Sequence, residues 1–174
     1  MKYSTTDVSV LPVKKDKGLI NEVSQLARDI YLTYYSTYLD SEIARKMYNI
    51  YQSPEAIEYA INKGEEYYLV QLFKASVGYL AVDVQKEKDR VFLSKFYLDS
   101  KCRGRGIGRY LMDSVIQLAK YLGLSTVDLL VYKGNKTFEI YKKFGFKVLK
   151  DIYEKLDNGL VNDDYLMRLE VQKV

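Results

Sequence analysis

One short segment of this chain carries three glycines and three arginines at close spacing, in the string Arg103-Gly104-Arg105-Gly106-Ile107-Gly108-Arg109. Glycine allows the backbone to turn its N–H groups toward one point and lets a ligand approach closely. An amphipathic run follows at once, and the first turn of a helix adds unpaired N–H donors and a partial positive charge. The segment therefore predicts a binding site for a phosphate-bearing ligand.

Two familiar phosphate-binding signatures do not fit this segment. The dinucleotide fingerprint G-x-G-x-x-G requires a third glycine at position 109, where the chain has Arg109. The P-loop string G-x-x-x-x-G-K-[ST] does not occur in the sequence. We therefore expect another kind of glycine loop to bind the phosphate-bearing ligand.

The chain has no histidine and a single cysteine, Cys102. Catalytic Ser/His and Cys/His pairs are thereby excluded, and Cys102 has no histidine to activate it. One cysteine forms no internal disulfide and fits a reducing cytoplasm, where we expect the protein to reside. A structural zinc site needs about four Cys/His ligands, so we expect no metal.

The net charge is +4, which by itself indicates neither nucleic acid nor membrane. A nucleic-acid-binding module that uses the arginines of the glycine loop is an alternative, but it needs a broader basic face. The acidic pairs Glu65-Glu66 and Asp163-Asp164 argue against such a face. No run of 18 apolar residues occurs, so we expect no membrane partner.

Hydrophobic periodicity and turn residues predict the elements that position the glycine loop. The predicted order is a strand at 8–13, helices at 19–34, after Asp40-Ser41 and from Ser53-Pro54 to Gly64, strands at 67–73, 77–85 and 90–99, a helix at 105–122, a strand at 126–132, a helix at 135–144, and a hairpin of 146–153 with 165–171. This order predicts a single α/β domain over residues 1–174, of the mixed α+β type, with a central mixed sheet and helices on both faces. Residues 90–132 predict a right-handed parallel crossover.

Three segments carry a resemblance to a known family. Residues 103–108 match the (Gln/Arg)-x-x-Gly-x-(Gly/Ala) signature of acetyl-CoA-binding loops, and Phe96-Tyr97-Leu98 is similar to the segment that precedes it on the fourth strand. Residues 135–146 are similar to the block N-x-x-A-x-x-x-Y-x-K-x-G-F, with Phe138 where a small residue is usual. On these segments the chain resembles the GNAT superfamily of N-acetyltransferases, with the GNAT-like fold of acyl-CoA N-acyltransferases. Within it, residues 31–35 and 163–167 resemble PaiA-type acetyltransferases, which are associated with polyamines such as spermidine.

The resemblance implies acetyl-CoA as cosubstrate and a role for each matching residue. It implies that the backbone of Phe96-Tyr97-Leu98 pairs with the pantetheine arm like an added strand and that the loop amides hold the pyrophosphate. Arg103, Arg105 or Lys143 is expected to meet the 3′-phosphate. The predicted cofactor-binding residues are Phe96, Tyr97, Leu98, Arg103, Gly104, Arg105, Gly106, Ile107, Gly108, Arg109, Asn135, Phe138, Tyr141 and Lys143.

Catalysis is less well specified than cofactor binding. The resemblance implies that Tyr141 is the general acid, although its helical spacing equally fits a core residue, and that Asn135 binds the pantetheine, although it also fits a helix cap. The general base is left open among Glu65, Glu66, Asp83 and Asp128. Tyr35 and Tyr38 are weak candidates for contact with the substrate.

The predicted reaction is direct attack of a primary amine, such as a polyamine, on acetyl-CoA in a ternary complex. No acyl-enzyme is expected, because the chain offers no activated nucleophile. The alternatives left open are acetylation of a protein N-terminus or lysine, and a non-catalytic acyl-CoA-binding module. A homodimer also remains open, since the sequence does not specify the oligomeric state.

Overall fold

The computed structural model describes residues 7–35, 37, 40–156 and 159–172. The strands are β1 (Val8–Pro12), β2 (Glu66–Leu72), β3 (Ala75–Gln85), β4 (Arg90–Leu98), β5 (Thr126–Tyr132), β6 (Lys147–Lys155) and β7 (Val161–Glu170), and the helices are α1 (Lys17–Tyr35), α2 (Ser41–Tyr51), α3 (Pro54–Asn62), α4 (Ile107–Tyr121) and α5 (Thr137–Phe144). The seven strands are hydrogen-bonded in the order β1-β2-β3-β4-β5-β7-β6. Because β4 and β5 are parallel while β5–β7 and β6–β7 are antiparallel, the predicted mixed sheet is confirmed.

The chain divides into two compact units, the first made of residues up to 83 together with 95–110. Its core packs α1 and α3 against β2 and β3, through Val13, Ile20, Val23, Ala27, Ile57, Tyr67, Leu69, Tyr79 and Ala81. The sequence accounts for α3 locally, because the hydroxyl of Ser53 accepts a hydrogen bond from the amide of Ala56 and Pro54 occupies the first turn. This unit carries the glycine loop.

The second unit contains residues 84–94 and those from 111 onward. Residues Arg90 to Leu93 of β4 pair in parallel with Thr126 to Leu129 of β5. Strand β5 is buried at five of its first six positions, which explains why its sequence is apolar apart from Thr126 and Asp128. Strand β7 lies beside β5, with β6 at the edge, and α5 belongs to this unit.

Several element boundaries differ from the prediction by a few residues. Helix α4 begins at Ile107 instead of residue 105, because Gly104 and Gly106 have φ values of +71° and +83°, which a helix does not allow. Helix α5 begins at Thr137 instead of residue 135, and the last strand begins at Val161 instead of residue 165. The predicted single domain over 1–174 stays a prediction.

Candidate active site

The glycine loop connects the end of β4 to the start of α4. Its side chains are exposed except that of Ile107, which is 3% exposed and anchors the helix start. The helical hydrogen bonding of α4 starts with the amide of Tyr110, which donates to the carbonyl of Gly106 at 3.0 Å. The amides of Ile107 and Gly108 precede that bond, and amides at this position of a helix have no acceptor within it. They form the polar end of a helix to which an anion can bind.

Gly108 is the member of the loop that the protein itself does not require to be glycine. It has no positive φ, unlike Gly104 and Gly106, and a Cβ built on it would meet no atom of the described residues within 4 Å, its chain neighbours and its own helix backbone aside. Neither backbone strain nor packing within the chain explains the missing side chain. Open space beside the first amides of a helix fits a ligand that needs close access to the backbone. The loop therefore fits a phosphate-bearing ligand.

Arg103 is held in place by two contacts within the first unit. Its guanidinium carbon lies 5.5 Å from the ring centroid of Tyr34, near the end of α1, and its Nε donates to the carbonyl of Leu98 at 3.2 Å. Arg105 and Lys143 are exposed. Which of the three meets the 3′-phosphate stays a prediction.

The segment Phe96-Tyr97-Leu98 forms the end of β4, as predicted. The ring of Tyr97 stacks on that of Tyr79, with centroids 5.1 Å apart, so its side chain belongs to the packing of the first unit. On the adjacent strand β3, a Cβ at Gly78 would lie 2.5 Å from the carbonyl oxygen of Tyr97. Gly78 is therefore required by close strand contact, a role that its sequence surroundings did not indicate.

Helix α5 carries Phe138 and Tyr141, and neither ring is fully buried. Phe138 packs on Tyr165 of β7, with ring centroids 5.0 Å apart, and Tyr141 meets the ring of Phe146 edge-on at 5.8 Å. Tyr141 is thus packed on one side and accessible on another. This placement suits a proton donor, and the assignment of Tyr141 as general acid stays a prediction.

The comparison of residues 135–146 with the family block needs a correction. Aligned on Tyr141-x-Lys143-x-Gly145-Phe146, the block places its small residue at Thr137 and its asparagine at Gly134. The departure is therefore at Gly134 and not at Phe138. Asn135 has a structural role, because its Oδ1 accepts hydrogen bonds from both the amide and the hydroxyl of Thr137 at 2.7 Å. Binding of pantetheine by Asn135 stays a prediction.

Of the carboxylates considered as general bases, Asp128 and Glu66 accept the following hydrogen bonds from protein side chains. Asp128 has no exposed surface and is bonded by Arg90 and Arg168. Burial opposes its ionisation, but these arginines outweigh it and hold the pKa of Asp128 below its usual value. Glu66 accepts a hydrogen bond from the hydroxyl of Tyr68 at 2.6 Å. Of the two, Asp128 is the poorer base, because a carboxylate bonded by two guanidinium groups does not readily take up a proton.

Lys95 is a functional candidate that sequence reasoning missed. It precedes Phe96 on β4, and desolvation lowers the pKa of its ammonium group, with nearby Glu65 acting in the opposite direction. Glu65 also interacts with the hydroxyl of Tyr67, whose pKa is raised by burial first and by this carboxylate second. A lysine within an otherwise apolar stretch of strand was the signal that could have found it.

The remaining predicted residues add little to the site. Tyr35 is half-buried and meets the ring of Tyr34 edge-on at 5.3 Å, while Tyr38 lies outside the described residues. Cys102 is buried and free, and burial raises the pKa of its thiol, which disfavours the nucleophilic thiolate.

Among the described residues, no group of three or more His, Cys, Asp or Glu could hold a metal ion. In the same part of the chain, no helix has the length and apolar character to cross a membrane.

Known proteins share both sequence segments and the fold of this chain. A spermine/spermidine N(1)-acetyltransferase of Bacillus subtilis is 28% identical over 67 residues, which are 37% of this chain and 44% of that protein. A putative phosphinothricin acetyltransferase, YwnH, of the same species is 33% identical over 51 residues, 29% of this chain and 31% of its own length. The chain thus matches less than half the length of these curated relatives.

Similar solved structures cover nearly the whole chain. The PaiA N-acetyltransferase of Thermoplasma acidophilum, in complex with coenzyme A, has a TM-score of 0.74 at 19% identity, and the match covers 93% of this chain and 99% of that one. A dodecameric spermidine N-acetyltransferase of Vibrio cholerae has a TM-score of 0.64 at 15% identity, covering 95% and 94%. At these identities the likeness shows a shared fold.

The family model of the acetyltransferase (GNAT) domain matches residues 34–168, a range that contains β2 to β5, the glycine loop and α5. The match covers well over half of the chain and includes residues 96–98, 103–108 and 135–146, on which the resemblance to the superfamily rested. The chain therefore belongs to the GNAT acetyltransferase family.

Proposed function

We propose that this protein transfers an acetyl group from acetyl-CoA to a primary amine. The observation that carries the proposal is Gly108, a glycine that neither φ nor packing requires, beside helix amides that have no helical acceptor. Family membership and the CoA-bound state of the PaiA neighbour support it. We also infer a cytoplasmic location, because a reduced, solitary Cys102 fits that compartment.

In the proposed mechanism some residues bind acetyl-CoA and one residue donates a proton. Acetyl-CoA supplies an acetyl group activated as a thioester. The amides of Ile107 and Gly108 bind its pyrophosphate, and the backbone of β4 at Phe96-Tyr97-Leu98 holds the pantetheine. The amine nitrogen forms the new C–N bond as the C–S bond breaks and gives up a proton to a general base, while Tyr141 gives its own proton to the leaving thiolate. A buried Cys102 with a raised pKa supplies no nucleophile for an acyl-enzyme.

We propose a polyamine such as spermidine as the acceptor. The spermine/spermidine acetyltransferase of B. subtilis among the relatives, and the spermidine acetyltransferases among the structural neighbours, support this substrate class. Such amines are almost fully protonated at neutral pH, and removing the proton requires about 4–5 kcal/mol. The site must therefore first bind a cation and then deprotonate it.

The test is turnover of the full chain with acetyl-CoA and a panel of amines. The panel contains spermidine, a peptide with a free N-terminus, a peptide with an internal lysine, and an arylamine. Release of CoA, with an acetylated amine identified by mass spectrometry, is the expected result, with spermidine the preferred acceptor. Acetyl-CoA binding in calorimetry without turnover of any amine would replace the proposal with a non-catalytic acyl-CoA-binding protein. Preference for either peptide would correct the acceptor to a protein substrate.

A further inference from the structure

Asp164 occupies a defined position on β7 in the second unit. The strand register places it opposite Tyr132 on β5 and opposite Ile152 on β6. Residues paired in this way project their side chains to the same face of the sheet. Asp164 therefore shares a face with an aromatic ring on one side and an apolar side chain on the other.

Three other carboxylates of β5, β6 and β7 are already paired with cations. Asp151 and Asp163 both pair with the ammonium group of Lys133, and Asp128 pairs with Arg168. The side chain of Asp164 makes no hydrogen bond or ion pair to any residue that the structure describes, although it is half-buried. Burial and then the charge of Asp163 raise the pKa of Asp164, and Lys133 opposes them. A partly desolvated carboxylate of this kind favours a cation as its missing partner.

The face that carries Asp164 is open within the second unit. Leu130, two residues before Tyr132 on the same face of β5, is 44% exposed. Helix α5 packs on the opposite face, because its Phe138 contacts Tyr165, whose side chain alternates with that of Asp164. A ligand can therefore reach Asp164 without displacing α5.

Asp164 also lies at the end of β5 where α5 is attached. Its partner Tyr132 is the last residue of β5, and the carbonyl of Tyr132 accepts a hydrogen bond from the amide of Asn135 at 2.9 Å. The turn formed there leads into α5, which carries Tyr141. The helix that carries the proposed general acid and the carboxylate of Asp164 thus both lie near this end of β5, on opposite faces of the strand.

We propose that Asp164, with the ring of Tyr132 beside it, binds the positively charged amine acceptor. This inference rests on the proposed function and names the residue that selects a cationic substrate. The carboxylate forms charge-assisted hydrogen bonds with the ammonium group, and the face of the tyrosine ring adds a cation–π contact. The approach of the ammonium group to Asp164 supplies the half-buried carboxylate with a counter-charge.

The test compares Asp164→Asn with Glu154→Gln. Glu154 lies on the same face of the sheet, two residues beyond Ile152 on β6, so its neutralisation controls for a general change of surface charge. For Asp164→Asn we expect the KM for spermidine to rise by about tenfold or more, with the KM for acetyl-CoA and turnover of a neutral arylamine within about twofold of wild type. Glu154→Gln should match wild type. An equal loss with spermidine and the arylamine would show a merely structural role and overturn the inference.

A second measurement separates this inference from the proposed function. Spermidine is titrated calorimetrically into the CoA-loaded full chain, which requires no turnover. Affinity about tenfold weaker in Asp164→Asn supports the inference even if wild type acetylates no amine, a result by which the proposed function alone would fail. Equal affinity in the two proteins, or absence of binding to wild type, would overturn the inference.

Discussion

Asp128 on β5 and Arg168 on β7 lie opposite each other on adjacent strands and form a bidentate ion pair. The Nε of Arg168 donates to Oδ1 of Asp128 at 2.8 Å, and its Nη2 donates to Oδ2 at 2.7 Å. Arg90 on β4 adds a hydrogen bond of 2.8 Å to Oδ2. One buried carboxylate thereby connects three neighbouring strands, at the end where β4 and β5 are paired in parallel.

We expect Asp128→Asn to destabilise the protein by about 3–5 kcal/mol, because it leaves two guanidinium groups without their counter-charge. Denaturant unfolding of the purified chain measures the effect. Asp151→Asn is the control, since Asp151 is largely exposed and its pairing with Lys133 is expected to contribute at most about 1 kcal/mol. A loss in Asp128→Asn no larger than in this control would show that the three-strand connection contributes little stability.

The same residue predicts a dependence of stability on pH. The pKa of Asp128 is lowered in the folded chain, so its ionised form stabilises the fold in full above the unfolded value of about 3.9. That contribution is lost as the pH falls from there through the folded-state pKa. The difference in unfolding free energy between wild type and Asp128→Asn should therefore be constant at neutral pH and shrink below about pH 4. A difference that grows toward acid pH would contradict the assignment.

We expect Gly108→Val to abolish measurable binding of acetyl-CoA while the thermal midpoint changes little. The added side chain projects into space that no protein atom occupies, where the pyrophosphate is proposed to lie. Isothermal titration calorimetry on the folded variant is the measurement. Gln117→Val, at an exposed position of α4, controls for the lower helix propensity of valine. Wild-type affinity in Gly108→Val would remove the basis of the phosphate-loop assignment.

Tyr141→Phe removes one proton donor and almost no volume. If Tyr141 is the general acid, kcat should fall by about 10²–10⁴-fold, with acetyl-CoA affinity and thermal midpoint near those of wild type. Tyr121→Phe is the matched control, because Tyr121 is 88% exposed and makes no contribution to the proposed site. If Tyr141→Phe keeps more than about half of kcat while chemistry is rate-limiting, Tyr141 is a packing residue.

Cys102→Ala should retain most of the activity. The thiol is buried and its pKa is raised, first by desolvation, so it is not poised for nucleophilic attack. Steady-state kinetics on the variant and intact-mass analysis of wild type during turnover check the prediction. An acetyl group that accumulates on Cys102 at a rate matching turnover would instead establish a covalent mechanism.

The elements around the glycine loop could be predicted because their signals are local. Strand β5 was predicted with its observed bounds from its Val-Asp-Leu-Leu-Val content, and α3 from Ser53-Pro54. The start of α4 was placed two residues early, since periodicity alone does not register the positive φ of Gly106. Local sequence therefore predicted the existence of the elements more reliably than their ends.

The roles of the acidic residues could not be predicted, because they depend on partners distant in sequence. Asp128 was considered as a general base, yet its partners Arg90 and Arg168 are 38 and 40 residues away. Asp163 and Asp164 are adjacent and chemically identical. Because side chains alternate along a strand, Asp163 pairs with Lys133 while Asp164 lies on the opposite face of the sheet. Such distinctions follow from strand register, which composition and spacing do not encode.

Gly78 and Gly108 would respond differently to selection in a saturation library. At position 78 any side chain would collide with the carbonyl oxygen of Tyr97, so a screen for folded protein should return glycine alone. At position 108 the same screen should accept many residues, because the space beside it is empty of protein atoms. A screen for acetyl transfer should restore glycine at both. The contrast between the two screens separates a glycine required by the chain from one required by its ligand.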